Sequence, residues 1–138
     1  MSSKFVHLHV HTSYSALEST VHIDALFQKA KEYGMPAVAM TDHGNLCGVI
    51  EFMNEAKKAG LKPIYGCDLY LKMENAPEQM RFPYTRLVLL AMNKEGFQNL
   101  VKLVSLSYTE GRAQRPLVQK AWIEAHQEGL ICLSGGLK

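Results

Sequence analysis

His7, His9 and His11 stand at alternate positions in Phe5-Val6-His7-Leu8-His9-Val10-His11, and that spacing has a geometric consequence. Side chains alternate faces along a β-strand, so the three imidazoles share one face while Val6, Leu8 and Val10 share the other. Imidazole is a common ligand of transition metals, and two of them two residues apart can converge on one cation. Further ligand-type side chains follow in Thr41-Asp42-His43 and in Gly66-Cys67-Asp68. Clustered cations held by such residues would activate water and stabilise a leaving oxygen. A plain polar strand face is the competing reading for the histidines alone.

The elements that must position these residues alternate in period. Phe5 to Val10 is expected to be a strand. Ile23, Leu26, Phe27 and Ala30 then follow helical spacing, closed by Gly34. Ala37–Met40 has the all-apolar character of a buried parallel strand. Leu46, Val49, Ile50 and Met53 predict a second helix, and Lys62 to Leu71 a third strand. Met73 to Pro83 is polar and Pro-interrupted, as in a loop. Arg86 to Ala91 predicts a fourth strand, and Asn93 caps a helix striped by Phe97, Leu100, Val101 and Val104. A short helix carrying Val118, Ala121, Trp122 and Ala125 leads to a fifth strand, Leu130 to Leu133. Helices are thus expected near residues 22–33, 45–59, 94–109 and 117–127. The order implies an α/β fold with mainly parallel strands, outer helices and chemistry at the carboxyl ends of the strands. Three strands then deliver His9 and His11, His43, and Asp68 toward one end.

Bulk properties narrow the function classes. The 138 residues suffice for one domain with a core, at 47% hydrophobic and 20% charged. A net charge of +2 with scattered basic residues gives no electrostatic case for direct DNA binding. Cys47, Cys67 and Cys132 form no CxxC pair and read as reduced thiols in a cytoplasmic protein, with Cys67 and Cys132 as buried packing groups. No apolar run is long enough to cross a bilayer, so no membrane partner is expected. His7 lies one step behind the ligand pair and is not expected to touch metal; His22 and His126 are expected to be solvated.

His9-Val10-His11 with Thr41-Asp42-His43 resembles the first two motifs of the polymerase and histidinol phosphatase (PHP) superfamily. Lys62–Tyr70, Leu89–Leu100 and Gly129–Gly136 are similar to the amino-terminal PHP domain of bacterial DNA polymerase III alpha subunits. The resemblance implies a partial, distorted (β/α)7 barrel, with residues 1–138 its amino-terminal part and the rest of the barrel and the polymerase modules absent. It implies a metal cluster at the strand ends, with His9, His11, Glu18, His43 and Asp68 as residual ligands. Asp42 is expected to orient a neighbouring histidine from behind.

Several positions depart from the metal-competent pattern of that family. Glu18 stands where an Asp is usual, and Asp68 where a bridging Glu is usual. Arg86 stands at a ligand His position, and a guanidinium has no lone pair for a metal. Gly136 replaces a ligand Cys. One metal position is therefore expected to be lost, with Arg86 taking its place beside Asp68. No bound cofactor is expected; any residual ion would be Zn, Mn or Mg at His9 and His11. The resemblance implies a noncatalytic scaffold of a replicative DNA polymerase that docks a separate proofreading exonuclease subunit, with DNA met only through the full-length protein. The alternative is an active metal-dependent phosphoesterase or 3′-5′ proofreading nuclease.

Overall fold

The computed structural model describes residues 5–111 and 115–135. The chain forms α1 (Ile23–Glu32), β1 (Ala37–Met40), α2 (Val49–Ala59), β2 (Lys62–Lys72), β3 (Tyr84–Ala91), α3 (Lys94–Thr109), β4 (Leu117–Val118), α4 (Lys120–Ala125) and β5 (Leu130–Ser134). The sheet runs β1-β2-β3-β5, with β4 on β2. β1 and β4 pair parallel with β2, whereas β2–β3 and β3–β5 are antiparallel. Four strands therefore share one direction and β3 alone is reversed. The α/β class stands, and the reversal has a local cause. Residues 73–83 contain no crossover helix, so the chain turns straight back, as an antiparallel pair allows.

The expected first strand, Phe5 to Val10, is not assigned as a strand. Its carboxyl end is tied to β1 by the Thr41 amide donating to the Val10 carbonyl at 2.8 Å and the Val10 amide donating to Thr41 Oγ1 at 2.8 Å. No regular ladder forms around these bonds.

Two apolar clusters hold the layers together. Ile23, Phe27 and Ala30 of α1 meet Phe52 and Ala56 of α2 over Val38 and Met40. Cys67, Leu69 and Leu89 of the sheet meet Leu100 and Leu103 of α3, with Val118. The buried stripes of α2 and α3 differ from those expected: Ile50 is 63% exposed and Val101 40%, while Phe52, Ala56 and Leu103 face inward. α2 also starts later than expected, because Asn45 organises the preceding turn. Its Oδ1 accepts from the Cys47 amide at 3.0 Å and its Nδ2 donates to the His43 carbonyl at 3.0 Å. Cys67 is buried as expected, but Cys132 is exposed on β5, which pairs only with β3 among the described residues.

Candidate functional site

The strand register explains why the polar residues meet. Along β2, Gly66, Asp68 and Tyr70 point to one face, and Cys67 and Leu69 to the helix-packed face. Arg86 lies opposite Tyr70, two positions from the Asp68 partner Val88, so Asp68 and Arg86 are diagonal neighbours on one face. On the other edge of β2, His43 bridges Asp68 in parallel, held by the Asp68 amide donating to the Asp42 carbonyl and the Gly44 amide donating to the Asp68 carbonyl. At the end of β5, Gly135 lets the backbone lie against Arg86, since a Cβ there would fall 2.4 Å from Arg86 Cβ.

The segment carrying His9, His11 and Glu18 is anchored from beneath. Asp42, fully buried, accepts from the Thr12 amide at 2.6 Å, Thr12 Oγ1 at 2.7 Å and Ser15 Oγ at 2.6 Å. Ser15 Oγ in turn accepts from the His43 amide at 3.1 Å. Asp42 makes none of its described hydrogen bonds to an imidazole, contrary to expectation; it fixes the backbone that carries His11 and His43. Ser19 Oγ donates to the His11 carbonyl at 2.7 Å, folding the loop so that Glu18 returns to the cluster.

Five of the expected residues come together. Asp68 Oδ2 lies 2.8 Å from His9 Nε2 and 3.1 Å from His11 Nε2. Glu18 Oε2 lies 2.5 Å from His43 Nε2 and 3.8 Å from His11 Nδ1. Two groups have donor atoms close enough to share an ion: His9, His11 and Asp68, and His11, Glu18 and His43. Arg86 stands between them. Its Nη2 contacts Asp68 Oδ2 and lies 2.9 Å from His43 Nε2 and 3.5 Å from His11 Nε2, while its Nε donates to Asp68 Oδ1 at 3.3 Å. Gly136, the expected lost ligand, lies outside the described residues. His7 is in neither group; its ring meets Phe5 edge-on at 4.7 Å.

The electrostatics follow from burial and partners. Burial pushes the Asp68 carboxyl up, but hydrogen bonds from His11, Arg86 and His9 outweigh it and hold the group well below the usual carboxylate range. Burial lowers His43, reinforced by His11 and Arg86 against the pull of Asp68 and Glu18. A neutral His43 can accept from Arg86 through Nε2 or donate from it to Glu18, but not both. Its Nδ1 is buried without a hydrogen-bond partner among the described residues. The spacing of the ligand atoms suits an ion, but a guanidinium already lies against Asp68 Oδ2 and His43 Nε2. With Arg86 seated, the residues do not fit a resident metal.

Two neighbours were not anticipated from the sequence. Tyr70 stacks on His43 with ring centroids 5.6 Å apart, and Arg115 donates to the Tyr70 hydroxyl at 2.7 Å. The alternation of β2 already placed Tyr70 on the Asp68 face; Arg115 carries no sequence signal of this role.

The PHP domain family matches over residues 7–138. The chain belongs to the PHP domain family. This PHP chain is 46% identical over 145 residues to the DNA polymerase III alpha subunit of Borreliella burgdorferi, covering 98% of this chain and 12% of that protein. The corresponding subunit of Vibrio cholerae is 42% identical over 134 residues, covering 96% of this chain and 11% of that protein. The PHP chain thus spans 11–12% of the length of these relatives. Its fold is similar to that of a proposed metal-dependent phosphoesterase from Bifidobacterium adolescentis, with a TM-score of 0.56 and 17% identity over 76% of this chain and 33% of that one.

Proposed function

We propose that this chain is the PHP portion of a replicative DNA polymerase alpha subunit and serves there as a noncatalytic scaffold. In this reading the parent protein is a cytoplasmic nucleotidyltransferase that copies DNA, and this portion docks the proofreading exonuclease subunit. The similarity to DNA polymerase III alpha subunits supports the parentage. The observation that carries the noncatalytic role is the state of Asp68 Oδ2. That oxygen faces His9, His11 and Arg86 together, so the carboxylate is spent on protein partners. Metal-assisted hydrolysis requires such a carboxylate to be free for a cation.

The test is hydrolysis of single-stranded DNA and of a phosphomonoester with added Zn, Mn or Mg, beside a His9→Ala/His11→Ala control. Equal background rates are expected. Metal-dependent turnover that vanishes in the double variant would reject the scaffold and promote the phosphoesterase reading. Docking is read separately, by co-elution with the proofreading exonuclease subunit on size exclusion; separate elution would remove that part.

A further inference from the structure

Asp68 is fully buried, and a buried carboxylate needs a cation or several donors to stay ionised. In this site Arg86 supplies the cation and shares the donor role with His9 and His11. Arg86 is anchored on β3 with its side chain 11% exposed, and it reaches Asp68 through Nε and Nη2. The same Nη2 faces His43 Nε2 and His11 Nε2, so one nitrogen addresses donor atoms from both candidate ion-holding groups. Gly135 lies so close to Arg86 that a Cβ there would fall 2.4 Å from Arg86 Cβ. A divalent ion would need Asp68 Oδ2 and the same imidazole nitrogens, and would sit within a few ångströms of a charge that arginine does not give up at any working pH.

We propose that Arg86 is the resident cation of this site: its guanidinium permanently replaces a metal, orders Asp68, His11 and His43 without one, and excludes divalent ions from the cluster. The idea deepens the scaffold reading and rests on it only for the absence of hydrolysis. It makes a separate claim, that guanidinium and metal are alternative occupants of one place. Removing the guanidinium should uncover affinity for zinc in His9, His11, Asp68, His43 and Glu18.

The experiment measures zinc content after equilibrium dialysis and thermal melting with zinc or with a chelator, on the protein in its full natural length. Wild type is compared with Arg86→His, Arg86→Ala and Arg86→Lys. Wild type is expected to melt at the same temperature in zinc and in chelator. Arg86→His and Arg86→Ala should melt lower in chelator, be raised by zinc, and bind zinc at least about tenfold tighter than wild type, about 1.4 kcal/mol. Arg86→Lys keeps a charge but not the two-pronged bond to Asp68, so it should melt lower and stay insensitive to zinc. Zinc stabilisation of wild type at this cluster, lost in His9→Ala/His11→Ala, would overturn the proposal. So would His and Ala variants that zinc neither binds nor restores, whether they fold or not. Hydrolysis is not read in this experiment, so a failed scaffold reading and a failed cation replacement give different results.

Discussion

At the scale of single residues the stability of the cluster turns on Asp68 and Arg86 acting together. Both are held from water, with side chains 0% and 11% exposed. Asp68→Asn keeps the volume and removes the charge, leaving the guanidinium without the carboxylate it is bonded to. The expected loss is about 3–5 kcal/mol in urea unfolding, the usual consequence of removing one partner of a buried pair. Asp68→Asn combined with Arg86→Met should recover much of it, because removing both charges also removes the penalty of burying them. A loss below about 1 kcal/mol for Asp68→Asn alone would show that the pair does not hold the site. Thiol chemistry gives a second expected outcome. Burial pushes the Cys67 thiol far up, and its Sγ donates to the Asp42 carbonyl at 3.2 Å, whereas Cys47 and Cys132 are exposed. Alkylation of the native chain, followed by peptide mass analysis, should label Cys47 and Cys132 and reach Cys67 only in denaturant. Prompt labelling of Cys67 would contradict its placement.

At the scale of elements, the join between α3 and the turn before β5 is closely packed. Asn93 Oδ1 accepts from the Gly96 amide at 2.9 Å, the Met92 amide donates to the Gly129 carbonyl at 2.9 Å, and Asn99 Nδ2 donates to the Glu128 carbonyl at 2.9 Å. A Cβ on Gly96 would fall 1.9 Å from the Gly129 carbonyl oxygen, so Gly96→Ala must separate the two elements. That variant should lose at least about 1–3 kcal/mol, as overpacked cores do, while Asn93→Ala should lose about 1 kcal/mol through its cap alone. Chemical denaturation of both variants checks the ranking, and a harmless Gly96→Ala would dissolve the argument. This join also shows what sequence could and could not reveal. Asn93 as a cap was readable, because capping is a local property. The inward faces of α2 and α3 were not: Ile50 and Val101 fit a helical stripe as well as Phe52 and Leu103 do, and only the neighbouring layer chooses between them. The two-residue β4 has too few positions to show a period.

At the scale of the whole molecule, periodicity disclosed the alternation of strands and helices but not the direction of β3, since an apolar strand reads alike both ways. His9, His11, His43 and Asp68 were legible as one site because strand ends converge in α/β folds, whereas Glu18 and Arg86 joined them only through the family resemblance. Their anchor on Thr12 and Ser15 was hidden in an ordinary polar loop. The sheet leaves one consequence exposed. Among the described residues β5 pairs only with β3, and its Ile131 is 46% exposed. Ile131 and Leu133 join Leu8, Ile64 and Leu90 along an apolar cleft of about 620 Å³. An unpaired edge beside apolar surface is a template for another chain, and a lysine at such an edge opposes it. The chain on its own should therefore self-associate as concentration rises, and Ile131→Lys should suppress this in sedimentation velocity. Because the side chain is half exposed, the substitution should change unfolding stability by no more than about 0.5 kcal/mol. A wild type that stays monomeric at high concentration, or a variant that associates equally, would mean that this edge is already protected.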